Sequence, residues 1–288
     1  MNPFEMPLSE RMSPQPVTLE PKDTLTHALE ILEKYSFRHF PVLEGNELVG
    51  FLSDRDLYLA TGTRDPLVSR FRHPDGREKR VEEIMQQETF TASPDDSLQT
   101  AAALMVDQRI GALPVVEGER LVGIVTETDL LGTVVGAARW QARSGKGDQV
   151  RDLMQPEVHT IPEDTDLLET IQVCLDQGIR HIPVTRDGVI RGILSDRDLR
   201  LGLARLMRED QENQATGNSG IPMLSAGKAA QYPVLSTTPE SPISAAAALM
   251  LNEKVGALLV MSEGKCEGIL CQSDLLRHYA VEMENAVG

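Results

Sequence analysis

The sequence predicts an α/β repeat protein built from four units of strand–helix–strand–strand–helix. Three observations carry that prediction. The octapeptide Gly50-Phe51-Leu52-Ser53-Asp54-Arg55-Asp56-Leu57 returns as Gly123 to Leu130, as Gly192 to Leu199 and, more loosely, as Gly268 to Leu275. Its second acidic position, Asp56, Asp129, Asp198 and Asp274, recurs at intervals of 73, 69 and 76 residues. Near-constant spacing of one motif marks a repeat architecture. The same grammar also precedes every copy.

Each unit opens at a hydroxyl residue, Thr18, Thr91, Thr160 or Ser236, seven residues before an apolar one, Leu25, Leu98, Leu167 or Ile243. The first strand is short and ends near that hydroxyl. In the first unit Leu25, Ala28, Leu29, Leu32 and Tyr35 are spaced for one face of a helix. Helix starts are signalled by Asp23 or Thr24, Ser97, Asp164 or Thr165, and Ser241 with Pro242 as first helical residue. Two short apolar runs then flank Gly45, Gly118, Gly188 and Gly264, the pattern of a β-hairpin closed by a tight turn. The octapeptide carries the chain from the second hairpin strand into a second helix.

At 288 residues the chain is long enough for a sizeable core, and 41% apolar with 25% charged residues fits a globular protein. No apolar stretch approaches a membrane span, and the N-terminus lacks a signal pattern. The three cysteines form neither a disulfide framework nor a metal cluster with the six scattered histidines, so a reduced, cytoplasmic protein with ordinary thiols is expected. A net charge of −16 argues against nucleic-acid binding, whose affinity comes from clustered Lys and Arg.

A Ser or Thr followed three residues later by an acid, at the start of an apolar helix, is close to a capping box. Its setting suggests more. A glycine three residues before the hydroxyl allows a close approach to the backbone, so a ligand is expected there. The helix N-terminus offers N–H groups to an anion. The carboxylate can take ribose hydroxyls, as acidic residues do in dinucleotide folds.

A second position sharpens the pattern. The residues entering the first hairpin strand are Arg38-His39 and Arg180-His181 in the odd units, but Gly111-Ala112 and Gly256-Ala257 in the even ones. Within the octapeptide Arg55 and Arg197 likewise alternate with Thr128 and Ser273. Arginine binds phosphate bidentately, and histidine adds charge when an anion raises its pKa. The unit-opening hydroxyls Thr18, Thr91, Thr160 and Ser236 are either turn formers or contacts to the base or phosphate end of a ligand.

These units resemble the cystathionine-β-synthase (CBS) domain in four copies, an architecture similar to the gamma subunit of AMP-activated kinase. The resemblance covers nearly the whole chain. It implies two Bateman modules, at residues 1–146 (repeats about 9–62 and 82–138) and 147–288 (repeats about 150–206 and 226–282). It implies that Asp56, Asp129, Asp198 and Asp274 hold ribose, aided by Ser53, Thr126 and Ser195 near the phosphate end. The fourth copy departs from the pattern, with Cys271 in the hydroxyl position. The resemblance further implies that Arg38, His39, Arg180 and His181 face phosphates, with Arg55 and Arg197 as further candidates. Even copies, lacking these cations, are left empty or suited to an uncharged adenosyl group.

The function so implied is that of a non-enzymatic, stand-alone regulatory sensor of the bacterial kind. It would bind AMP, ADP or ATP, with S-adenosylmethionine ranked below them, and pass its state to a protein partner. No cofactor or metal is required, and a homodimer and a single chain with facing modules both remain open. The alternative is an interaction scaffold with largely vestigial sites, docking through the C-terminal tail or through the basic linker 61–80, where six Lys and Arg stand against three acids. The polar stretch Ala204 to Lys228 reads as a mobile linker. No nucleophile–base pair or phosphate loop argues for an enzyme. His27, His73, His159, His278 and Trp140 read as surface or packing residues.

Overall fold

In the computed structural model, described for residues 5–35, 37–61, 73, 75, 77–136, 149–216 and 223–287, the four predicted repeats are present as an α/β fold. A short strand β1 (Ser13–Pro14) precedes them. The first repeat comprises α1 (Leu25–Tyr35), β2 (His39–Glu44), β3 (Glu47–Ser53) and α2 (Asp54–Thr61). The second has α3 (Leu98–Gln108), β4 (Ala112–Glu117), β5 (Arg120–Thr126) and α4 (Glu127–Gly136). The third has β6 (Ile161–Pro162), α5 (Leu167–Gln177), β7 (His181–Arg186), β8 (Val189–Ser195) and α6 (Asp196–Ala215). After α7 (Ala226–Ala229), the fourth has β9 (Ser236–Thr237), α8 (Ile243–Glu253), β10 (Ala257–Ser262), β11 (Lys265–Cys271) and α9 (Gln272–Val287).

All four hairpins share one register. His39 pairs Ser53, Ala112 pairs Thr126, His181 pairs Ser195 and Ala257 pairs Cys271, each with a shift after the fourth pair. The turn glycines have positive φ, from 65° to 78°, a region open to glycine without Cβ strain. The expected first strand is reduced to one or two residues in parallel pairing: Leu19 with Val42, Ala92 with Val115, Ile161 with Val184 and Thr237 with Val260.

Helix α1 buries Leu25, Ala28, Leu29 and Leu32, each large side chain contributing about 1.5–3 kcal/mol. Tyr35, read as part of that face, is instead exposed at the last turn of the helix and stacks on Phe37 at 5.8 Å. Thr24 and Ser97 accept backbone bonds at the starts of α1 and α3 as expected. Helix α5 is capped by Asp166, which accepts from Leu168 N, and not by Asp164 or Thr165. At α8 Pro242 is the capping residue and Ser241 bonds Thr238, so the helix begins one residue later than expected. The stretch after Ala204 is helix through Ala215, held by buried Leu203, Ala204 and Leu206 and an Arg205–Glu209 pair at 2.9 Å. Of the expected mobile linker, residues 204–215 are thus an extension of α6, while residues 217–222 lie outside the described residues.

Contacts gather the chain into two compact units that interleave along the sequence. Unit 1 comprises Met1–Pro16, Phe90–Val158 and Leu235–Gly288; unit 2 comprises Val17–Thr89 and His159–Val234. Unit 2 therefore joins the odd repeats and unit 1 the even ones, a division different from the consecutive halves 1–146 and 147–288. In unit 2 one core runs from Leu19 through Phe40 and Leu52 to Leu167, Ile182 and Leu224. Unit 1 is built on two clusters, around Leu258 and Tyr279 and around Leu8 and Leu113. Among the described residues no helix is long and apolar enough to cross a membrane, and no group of His, Cys, Asp or Glu is placed to hold a metal.

Candidate functional site

One backbone bond builds the same corner in every repeat. The first N–H of the second helix donates to the carbonyl of the residue entering the hairpin: Asp54 to Arg38 at 3.0 Å, Glu127 to Gly111 at 3.1 Å, Asp196 to Arg180 at 3.0 Å and Gln272 to Gly256 at 3.0 Å. The Arg-His position and the octapeptide are therefore neighbours by construction. Leu19 N donates to Pro41 O and Leu43 N to Leu19 O, so Thr18 lies toward the same end of the sheet, with Thr91, Thr160 and Ser236 in matching register.

The octapeptide forms its cap. Asp56 Oδ2 accepts from Ser53 N at 2.7 Å and from Ser53 Oγ at 2.6 Å. Asp129 does so from Thr126 at 2.9 and 2.7 Å, and Asp198 from Ser195 at 2.8 and 2.5 Å. In the fourth repeat Cys271 N donates to Asp274 Oδ2 at 2.9 Å. With Oδ2 so engaged, Oδ1 is the oxygen left for a ligand, and its two lone pairs suit a pair of hydroxyls.

The motif glycines serve a purpose other than the expected approach of a ligand. A Cβ at Gly50 would stand 2.6 Å from Met85 Sδ and 3.1 Å from Gln86 O. At Gly123 it would meet Met12 Sδ at 2.5 Å, at Gly192 the Tyr232 ring at 2.8 Å, and at Gly268 Gln155 O at 2.7 Å. The space is filled by the protein's own chain. A strap lies antiparallel across each motif, pairing Gln86 with Phe51, Ser13 with Ile124, Gln231 with Ile193 and Gln155 with Ile269. Three straps also reach the carboxylate: Gln86 Nε2 donates to Asp56 Oδ1 at 3.2 Å, Gln231 to Asp198 Oδ1 at 2.6 Å and Gln155 to Asp274 Oδ1 at 3.1 Å.

The cations expected from the odd repeats come together within unit 2. Burial first, then the charges of Arg38, Arg180 and Arg200, pushes His39 down from 6.5 to about 3. His181 falls to about 3 through burial and then Arg180 and Arg38. Both rings are therefore neutral near pH 7 in the ligand-free protein. Burial also pushes Asp54 up against the pull of Arg200 and Arg38, and raises Asp196 to about 7 through burial and then the charge of Asp54. Three guanidiniums thus face two reluctant carboxylates.

Arg200 is the member that sequence reasoning missed. Its side chain is 1% exposed, Nη1 lies 3.3 Å from Asp54 Oδ2, and Nε is buried without a hydrogen-bond partner. A signal was present: the position after the motif leucine is Tyr58 and Arg200 in odd repeats but Leu131 and Leu276 in even ones. Arg55 and Arg197, by contrast, are exposed, and Arg55 reaches Leu175 O at 3.4 Å. They sit one residue before the motif aspartate, on the outer side of the helix turn.

Unit 1 lacks the arginines and histidines at the equivalent place. Leu131 and Leu276 are buried, Ala112 and Ala257 replace the histidines, and Gln272 accepts from Thr128 Oγ1 at 3.3 Å and donates to Val255 O. Buried Glu127 is the acidic residue there. Cys174 is an inert core thiol, pushed up to about 12 by burial and then by Asp196. His27 and His159 are exposed, and His27 lies 3.8 Å from Glu30. His278 stands beside Tyr279. In the basic linker His73 and Arg77 both bond Glu83, while Arg64, Arg70 and Arg72, like Trp140, lie outside the described residues.

The CBS-domain family model matches four times, at residues 8–61, 81–136, 150–205 and 227–281. An uncharacterized protein from the ribosomal RNA operon of Thermofilum pendens is 28% identical over 252 residues, 83% of this chain and 79% of its own. A crystal structure from Methanocaldococcus jannaschii, of a protein proposed as an archaeal homologue of the AMP-activated kinase gamma subunit, superposes with a TM-score of 0.79 at 20% identity. It covers 95% of this chain and 100% of its own; a conserved protein of Pyrococcus horikoshii covers 95% and 99% with a TM-score of 0.61, also at 20% identity. With four matches spread over most of its length, the chain belongs to the CBS-domain family.

Proposed function

We propose that this chain is a non-enzymatic sensor that binds an adenine nucleotide in unit 2 and signals its occupancy to a protein partner. The carrying observation is the fully buried Arg200, whose Nε lacks a partner, set with Arg38, Arg180, His39 and His181 around Asp54 and Asp196, the first residues of the two helices that also carry Asp56 and Asp198. A buried donor without an acceptor is costly, and a phosphate would supply the acceptor. The motif carboxylates supply ribose contacts at the same corners. AMP, ADP and ATP suit this charge; S-adenosylmethionine, which carries no phosphate, suits it less. Unit 1 keeps the carboxylates without the cations and is assigned an uncharged adenosyl group or none.

Binding matters for signalling only through differential affinity between two packings of the chain. The consecutive modules 1–146 and 147–288 belong to this reading and rest on repeat order; first cleavage near residue 147 in limited proteolysis supports them, and first cleavage within a repeat counts against them. The same holds for a cytoplasmic location, which rests on thiol usage. Thermal unfolding with AMP, ADP, ATP and S-adenosylmethionine tests the ligand. At 100 times its Kd a ligand adds about 2.7 kcal/mol, a rise of several degrees. No shift with any of the four overturns the proposal, and a shift that survives Asp56→Ala with Asp198→Ala overturns the site.

A further inference from the structure

The four motif carboxylates are unequal, and one residue of each strap makes the difference. Glutamine at 86, 231 and 155 donates its side-chain amide to Oδ1 of Asp56, Asp198 and Asp274. In the second repeat Ser13 takes the place of the glutamine, opposite Ile124. Asp129 keeps its cap bonds on Oδ2, and among the described residues no donor is placed on its Oδ1. Since Oδ1 is the oxygen that the cap leaves over, the glutamines occupy the position a ligand's hydroxyls need.

We propose that this strap position sets ligand selectivity by competition: glutamine latches the carboxylate in the ligand-free protein, and serine leaves it open. The inference rests on reading the motif aspartates as ribose contacts. All three glutamines are exposed, so each can swing into water when displaced. The charged centre of unit 2 is thereby guarded: a nucleoside alone competes poorly with Gln86 and Gln231, whereas a nucleotide gains the guanidiniums as it displaces them. The open Asp129, in a unit without those cations, accepts a phosphate-free adenosyl group directly. Selection against uncharged adenosyl compounds in unit 2 thus needs no steric filter.

Calorimetric titration of the full chain with AMP and with adenosine tests this. A hydrogen bond to a carboxylate in an exposed setting corresponds to roughly three- to tenfold in affinity. Gln86→Ala with Gln231→Ala is expected to tighten AMP by that factor, and Ser13→Gln to weaken adenosine by a similar one. Gln86→Ser with Gln231→Ser, which copies the second repeat's own strap, gives the same result if the alanine pair fails to fold. Weaker or unchanged AMP binding in folded latch variants overturns the latch while leaving the ribose role standing. Absence of binding by either ligand to every protein overturns both.

Discussion

Replacing Arg200 separates what the charged centre does for folding from what it does for a ligand. At 3.3 Å from Asp54, Arg200 gains about 5 kcal/mol of Coulomb attraction at an effective dielectric of about 20. Burying the two ions costs several kcal/mol each, so the net contribution of the pair lies near zero. Arg200→Leu with Asp54→Asn places at 200 the residue found at the equivalent buried positions Leu131 and Leu276. That double variant should match the wild type in stability to within about 2 kcal/mol, or exceed it. Arg200→Leu alone deprives Asp54 of its ion-pair partner, leaving only the weaker pull of Arg38 and Arg180, and should cost up to about 3–5 kcal/mol near neutral pH. The stranded carboxylate has a folded pKa above its unfolded value, so its penalty grows as pH rises and shrinks on acidification. Denaturant unfolding between about pH 5 and 8, with and without AMP, reads each quantity. A double variant more than about 3 kcal/mol less stable than the wild type would show the pair to be structural. Undiminished stabilisation by AMP in that variant would refute the phosphate site.

Gly50→Ala should destabilise by about 1–3 kcal/mol through the Met85 and Gln86 contacts, and Met85→Ala in the same chain should recover part of that loss. An additive pair in denaturant unfolding would contradict the strap packing. For His39 and His181 the unfolded value of 6.5 against about 3 folded means the unfolded chain binds more protons between those pH values. Stability therefore falls as pH drops through that window, by up to about 1.4 kcal/mol per pH unit for each histidine. Asp196, raised from 3.8 to about 7, opposes this with a single slope of the other sign. His39→Gln with His181→Gln should flatten the acid loss seen in thermal unfolding, and an unchanged pH profile would refute their burial as neutral rings.

The repeat grammar made most of the fold legible, because hairpin register, turn glycines and helix stripes are local and recur four times. Where the reading failed, the cause was contact distant in sequence. Gly50 reads as a ligand's doorway until Met85, thirty-five residues on, is seen lying over it. Arg55 looks as good a phosphate ligand as Arg38 in a linear motif, but helix geometry turns it outward, while Arg200, four residues beyond Asp196, faces inward. The alternation of cations was visible from the start, and its reason was not: the odd repeats pack together in unit 2, so their charges are concentrated in one place. The straps were invisible because Gln86, Gln155 and Gln231 sit in loops with no periodicity, although Met85-Gln86 and Met154-Gln155 repeat a dipeptide.

On the proposed reading the guanidiniums of unit 2 hold the phosphate of an adenine nucleotide. Paired titrations of AMP and adenosine, in the wild type and in Arg38→Met with Arg180→Met, decide whether they do. Charge-assisted bonds of about 1.5–3 kcal/mol predict that the wild type prefers AMP by roughly tenfold or more, and that the preference collapses when both arginines are lost. Equal affinity for the two ligands in the wild type, or an AMP preference that survives the double substitution, would contradict the claim.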